Sequence, residues 1–242
     1  MSPADRAPTW PPGCAHWASA GLYWPRTSDA AGQVIDGQLI ARGIHLYAYA
    51  RDGHGGSIVS LVTSGQRTLA SDPGALTWID DRLADPRWLA GADWLHLLGY
   101  LLLRAPDPAV VIRAAKAARH LGVRAAIDLA SAAMIDVYEA LAFRALVAKL
   151  DPAVVFGNEG EWGILGGSPG QVWADATVKR GSLGSTFVVG GVQTSLGVVP
   201  GPVVDVTGAG DALAAGYFVG GPPMAMAAAV WRIAQTGAQP SC

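Results

Sequence analysis

Charge is scarce in this chain and neither sign dominates. Lys and Arg number 17 against 19 Asp and Glu in 242 residues, a formal net charge of −2, with charged residues at 15%. A protein that grips nucleic acid through its phosphates needs a basic excess, so no nucleic-acid partner is expected. Cysteine is nearly absent. Cys14 and Cys242 lie near the two ends, which gives no disulfide framework and fits a reducing, cytoplasmic setting. Met1 to Cys14 carries charges and prolines where a secretory leader has its apolar core. Two uncharged stretches, Gly181 to Val204 and Ala212 to Trp231, are rich in small residues and interrupted by glycine and proline. Neither has the sustained Leu, Ile and Phe content that ~30 Å of hydrocarbon requires, so no membrane partner is expected. The five histidines (16, 45, 54, 96 and 120) show no metal-ligand spacing. There is no GxxxxGK[ST] loop and no strand-bound GxGxxG.

Apolar bulk is plentiful, at 51% hydrophobic residues. A chain of this length buries roughly 70–75% of its unfolded surface and needs no staples to hold a core. Residues 1–35 read as an irregular arm: the first 32 hold five prolines and three tryptophans without sustained periodicity. Patterning begins near Asp36. Ile44–Ala50, Ser57–Val62 and Arg67–Leu69 are β-rich runs around glycine turns, expected to form a small antiparallel lid within 36–75. Beyond Asp93 strands and helices alternate. Trp94–Leu98, Val123–Ile127 and Val154–Phe156 read as strands, and Pro108–Leu121, Ala133–Leu150 and Glu159–Leu165 as helices. The expectation is an α/β fold with a mostly parallel central sheet flanked by helices over 36–242. Ligands then sit beyond the carboxyl ends of the strands. His96 and His120 read as packing or surface residues.

The sharpest segment is Val203-Val204-Asp205-Val206-Thr207-Gly208-Ala209-Gly210-Asp211. It reads as an apolar strand ending at Asp205, a turn of small residues, and a helix starting near Asp211. Gly208 and Gly210 permit positive φ, and with Ala209 they leave backbone N–H groups uncovered at a helix N-terminus, where anions bind. On spacing alone the segment reads equally as a tight turn with Asp211 as an N-cap.

Residues 205–216, DVTGAGDALAAG, resemble the DTxGAGD signature of the ribokinase-like (PfkB) family of carbohydrate kinases. Asn158-Glu159-Gly160-Glu161 resembles the family's NxxE element, 178–185 its strand and turn against the nucleotide, and 237–241 its GAxxS run. The Gly65–Thr68 turn is similar to its lid hairpin. The resemblance covers about 35–242. It implies ATP as donor, Mg2+ as cofactor and a sugar or nucleoside as acceptor. Asp211 would be the general base, and the amides of Gly208, Ala209 and Gly210 would stabilise the transferring phosphoryl group. Asn158 and Glu161 would order Mg2+ and its waters, although the same pair also reads as a helix capping box. Lys179, Gly181, Ser182, Gly184 and Thr207 would line the nucleotide site. Asp205, with Thr207, Gly237 and Ser241, would surround a monovalent cation.

The family opens with a strand whose end carries a sugar-binding Asp, followed by a GGxxxN loop, and neither is recognisable before Asp36. Asp29 and Asp36 do not follow an apolar strand. Two functions are therefore carried forward. One is a kinase that phosphorylates a hydroxyl. The other is a shortened, catalytically silent relative that binds nucleotide or serves as an interaction module. A shortened sheet would expose an apolar edge that favours a homodimer.

Overall fold

A computed structural model describes residues 21–63, 66–72, 74–77 and 79–237. The described part opens with β1 (Gly21–Thr27), α1 (Ala30–Ala41) and β2 (His45–Arg51), and β1 pairs with β2 in parallel. This corrects the irregular arm expected over 1–35 for residues 21–35; residues 1–20 lie outside the described residues. Residues 21–35 are strand and helix, because Asp29 caps α1 by accepting from Gly32 N at 3.0 Å. Pro25 is tolerated in a strand that has only one hydrogen-bonded neighbour. The parallel pairing with β1 removes β2 from the expected antiparallel lid, which reduces to the hairpin β3 (Ser57–Thr63) and β4 (Gln66–Asp72). The Ser64-Gly65 turn, residues 1–20 and residues 238–242 lie outside the described residues.

After α2 (Pro86–Leu89) comes the alternating part: β5 (Trp94–Leu98), α3 (Gly99–Arg104), α4 (Ala109–His120), β6 (Arg124–Asp128), α5 (Ala132–Tyr138), α6 (Ala140–Leu150), β7 (Val154–Asn158), α7 (Glu159–Leu165) and β8 (Ala176–Lys179). Then follow β9 (Ser185–Val189), β10 (Val192–Leu196) and α8 (Ala209–Ile233). The central sheet has the order β10-β9-β8-β7-β6-β5. β5 to β8 are parallel, and β9 and β10 are antiparallel additions. Alternation along the strands splits the core between two faces. Leu95, Leu97, Ile127 and Val155 pack against α4 to α7 on one side. Ala126, Val154, Phe156 and Phe187 pack against Leu213, Ala214, Ala225 and Met226 of α8 on the other.

Three further details differ from the sequence expectation. The helix over 133–150 breaks at Glu139, whose φ is +75°, so α5 and α6 are separate. Residues 203–205 form no strand. Pro200 and Pro202 interrupt the segment, and the N–H groups of Val204 and Asp205 donate to Ile233 O. Finally, α8 starts at Ala209 and kinks where Gly220 and Gly221 leave helical φ/ψ. By length and composition α8 could cross a membrane; the kink divides it and its apolar face fills the second core. The kink folds its second half back so closely that a Cβ on Gly216 would lie 2.4 Å from Met224 O.

Candidate active site

Three adjacent parallel strands end at one place. Asp128 closes β6, Asn158 closes β7 and Lys179 closes β8. Asp128 is in register with Phe156, and Asn158 with Lys179. Residues in register, or two apart on one strand, share a face. All four therefore face α8, whose Phe218 lies against both Phe156 and His96. Asp128 and Lys179 meet across the end of β7, with Nζ 2.6 Å from Oδ2 and side-chain exposures of 7% and 20%. The sequence reading missed Asp128. Its signal was an apolar strand ending in a carboxylate, the same signal that drew attention to Asp205.

Opposite these strand ends is the turn into α8. Gly208 is left-handed, with φ +80° and ψ 3°, and it ends the loop as the helix begins. Of the three amides expected to be open, that of Ala209 donates to Val206 O at 3.2 Å. The turn geometry draws it inward, so Ala209 is a correction. Among the described residues the N–H groups of Gly208, Gly210 and Asp211 have no protein acceptor. A Cβ on Gly210 would lie 3.4 Å from Lys179 Nζ, which puts the ammonium beside the open amides.

The Asp211 carboxylate has no hydrogen-bond partner among the described residues and reaches solvent on its open side. The protein packed around its other sides raises its pKa above the ordinary 3.8, and the charge of Asp128 adds to the rise; His96 and Lys179 oppose it. His96 is half-buried, its Nε2 is buried without a partner, and desolvation lowers its pKa.

Asn158 and Glu161 form both halves of a capping box. Glu161 N donates to Asn158 Oδ1 at 2.9 Å, and Asn158 N donates to Glu161 Oε2 at 2.8 Å. Glu161 is 3% exposed, and burial pushes its carboxyl pKa up, against the Asn158 amide and the Lys179 charge. Asp205 uses one carboxylate oxygen on Thr207 N and the other on Gly237 N, both at 2.9 Å. It is a tether between the turn and the chain after α8. The expected monovalent cation finds no support in this geometry, and Ser241 lies outside the described residues.

A cavity of about 440 Å³ opens beside the turn. It brings together Lys179, Gly181, Ser182 and Gly184 with Gly210 and an apolar wall that includes Val198, Leu213 and Met226. Thr207 stands in the adjoining loop. Gly184 has φ +86°, and a Cβ there would lie 2.0 Å from Leu196 O, so only glycine fits this crossing. A second cleft of about 340 Å³ lies away from these groups, where Arg119, Arg124 and Asp151 flank the starts of β6 and β7.

The β1–α1 junction holds a further misread group. Asp29 lies two residues beyond the end of β1 and accepts from Thr27 Oγ1 at 2.6 Å and Gly55 N at 2.9 Å, as well as from Gly32 N. These bonds hold its pKa at about 2. It anchors the β2–β3 connection, from which the hairpin projects.

The family described as pfkB family carbohydrate kinase matches residues 27–221. The fold is similar to an adenosine kinase from Sinorhizobium meliloti at 25% identity and a TM-score of 0.80, covering 92% of this chain and 74% of that one. A probable sugar kinase from Rhizobium etli CFN 42 is similar at 20% identity and a TM-score of 0.84, covering 94% and 76%. A putative ribokinase II from E. coli, in complex with ATP and Mg2+, is similar at 22% identity and a TM-score of 0.74, covering 90% and 78%. None of the curated proteins matches this chain in sequence.

Proposed function

Because the chain belongs to the pfkB family of carbohydrate kinases, we propose that it transfers the γ-phosphoryl group of ATP to a hydroxyl of a sugar or nucleoside, as a soluble cytoplasmic enzyme. One observation carries the reading. A carboxylate of raised basicity, Asp211, follows Gly210, which lines the cavity together with Lys179, and the open amides of Gly208 and Gly210 lie in the same turn. Phosphoryl transfer asks chiefly for positioning and for stabilisation of charge on the phosphoryl oxygens. The amides and Lys179 supply that stabilisation from the donor side. Asp211 accepts the proton of the attacking hydroxyl, and its raised pKa makes it a better base than an ordinary aspartate. The apolar wall of the cavity takes the nucleobase, and Gly181, Ser182 and Gly184 let the backbone approach the nucleotide.

The buried Glu161 carboxylate, with its cost of desolvation, fits a cation nearby. It would hold Mg2+ through water together with Asn158, and the ion when bound neutralises phosphate charge. The second reading is a relative that binds nucleotide without turnover. It is favoured by the separation of β1 and β2 from the six-stranded sheet.

An ADP-release assay with Mg·ATP, over a panel of sugars and nucleosides, tests both. Turnover with one acceptor, reduced by about 10²–10⁴ in Asp211→Asn, is the expected result. Silence across the panel with ADP binding intact would establish the second reading instead.

A further inference from the structure

Asp128 is held with more care than a strand-end residue needs. Its Oδ1 accepts from Ala130 N at 3.2 Å, and Ala130 has φ +71°, a left-handed backbone that a non-glycine residue rarely adopts. Behind this loop, Gly99 presses so close that a Cβ would lie 2.3 Å from Leu129 O. The loop is braced from one side and strained on the other, and the outcome is a buried carboxylate aimed at Lys179. A lysine ammonium has three donors. One meets Asp128 at 2.6 Å, and Gly210 lies on the near side of the same nitrogen.

We propose that Asp128 is a positioning residue for Lys179. It holds the ammonium beside the open amides while the site is empty and gives it up, in part, to the nucleotide phosphates when they arrive. This rests on the phosphoryl-transfer reading above. Asp128 also keeps Lys179 from pairing with Asp211, one of two further carboxylates, with Glu161, that feel the Lys179 charge. Asp128 therefore opposes phosphate binding by its own charge while protecting the base from being quenched. Removing the charge should tighten nucleotide binding and slow turnover together.

A residue with a merely structural part would not give that split. Isothermal titration of the whole chain with Mg·AMP-PNP, Mg·ADP and AMP, for wild type and Asp128→Asn, reads the binding half, and the ADP-release assay reads the turnover half. Asp128→Asn should bind ADP about tenfold tighter, since a like charge is removed from a poorly screened site. The gain should grow with phosphate number from AMP to AMP-PNP. Lys179→Gln should show the opposite sign with the same grading, and it serves alone if Asp128→Asn does not fold. Weaker binding in Asp128→Asn, or equal effects of either variant on AMP, ADP and AMP-PNP, would overturn the proposal while leaving the kinase reading standing. A wild-type chain that binds none of the three would overturn both.

Discussion

Glu161 separates structural from chemical work more cleanly than any other residue at the site, through two substitutions. The side chain is 3% exposed, accepts from Asn158 N at 2.8 Å, and has a pKa raised mainly by burial. A carboxyl whose folded pKa is raised adds stability below its unfolded value and loses it as pH rises through the folded value. At neutral pH its ionised form is thus a burden on the fold, and both Glu161→Gln and Glu161→Ala relieve it. The two differ in what remains. Gln keeps an acceptor for the Asn158 amide and keeps the volume. Ala loses the cap, about 1 kcal/mol, and one buried methylene, about 0.8 kcal/mol. Ala should therefore be about 2 kcal/mol less stable than Gln, or about 4–8 °C in Tm for a chain of this size. Gln should equal or exceed wild type at pH 7, with the advantage shrinking as pH falls through the folded pKa of Glu161. Both should weaken the Mg2+ dependence of ADP binding, followed by titration at fixed ADP. If Glu161→Gln left that dependence untouched, the carboxylate would be a cap and nothing more. If Gln were as unstable as Ala, the capping argument itself would fail.

Three other outcomes follow from the geometry. The pH profile of kcat/KM should rise through an apparent pKa above the ordinary 3.8 of an aspartate, because Asp211 must be ionised to accept a proton. Asp128→Asn should move that limb to lower pH, with His96 and Lys179 still facing the base; a limb that stays put would remove Asp128 from its surroundings. Gly99→Ala should cost about 1–3 kcal/mol in denaturant unfolding, since its Cβ meets backbone and not a movable side chain; an unchanged midpoint would refute the close approach. Asp29→Ala should speed tryptic cleavage after Arg51 by releasing Gly55. In wild type the anchor weakens only as pH falls from 3.8 toward about 2. Equal cleavage in the two proteins at neutral pH would show that Asp29 does not tether the connection.

The parts of the fold that were legible in the sequence are those written locally. The α4 periodicity with Gly122 at φ +77° beyond it, and the Asn158–Glu161 spacing at the start of α7, announce their elements within a few residues. The β1–α1 unit was hidden because prolines and tryptophans dominate the first 32 residues, while the decisive contact, Asp29 to Gly55, spans 26 residues. The break at Glu139 has no glycine or proline to mark it. Runs of valine at 203–204 look like strand, but the hydrogen bonds of that segment go to the end of α8. At the site, the turn 208–211 was legible because its small residues are contiguous. Asp128 was not, since its partner is 51 residues away and meets it only across an intervening strand.

The strand order of the central sheet is also the order of synthesis. From β5 to β10 each strand pairs with the one made just before it, so no strand waits for a distant partner and loop-closure costs stay small. A chain emerging from the ribosome can thus add its strands one at a time and set Asp128, Asn158 and Lys179 in place as it goes. The amides of Gly208 and Gly210, and Asp211 itself, arrive only with α8, the last of the described elements to be made. Building the strand scaffold and completing the turn that faces it are then separate events in time.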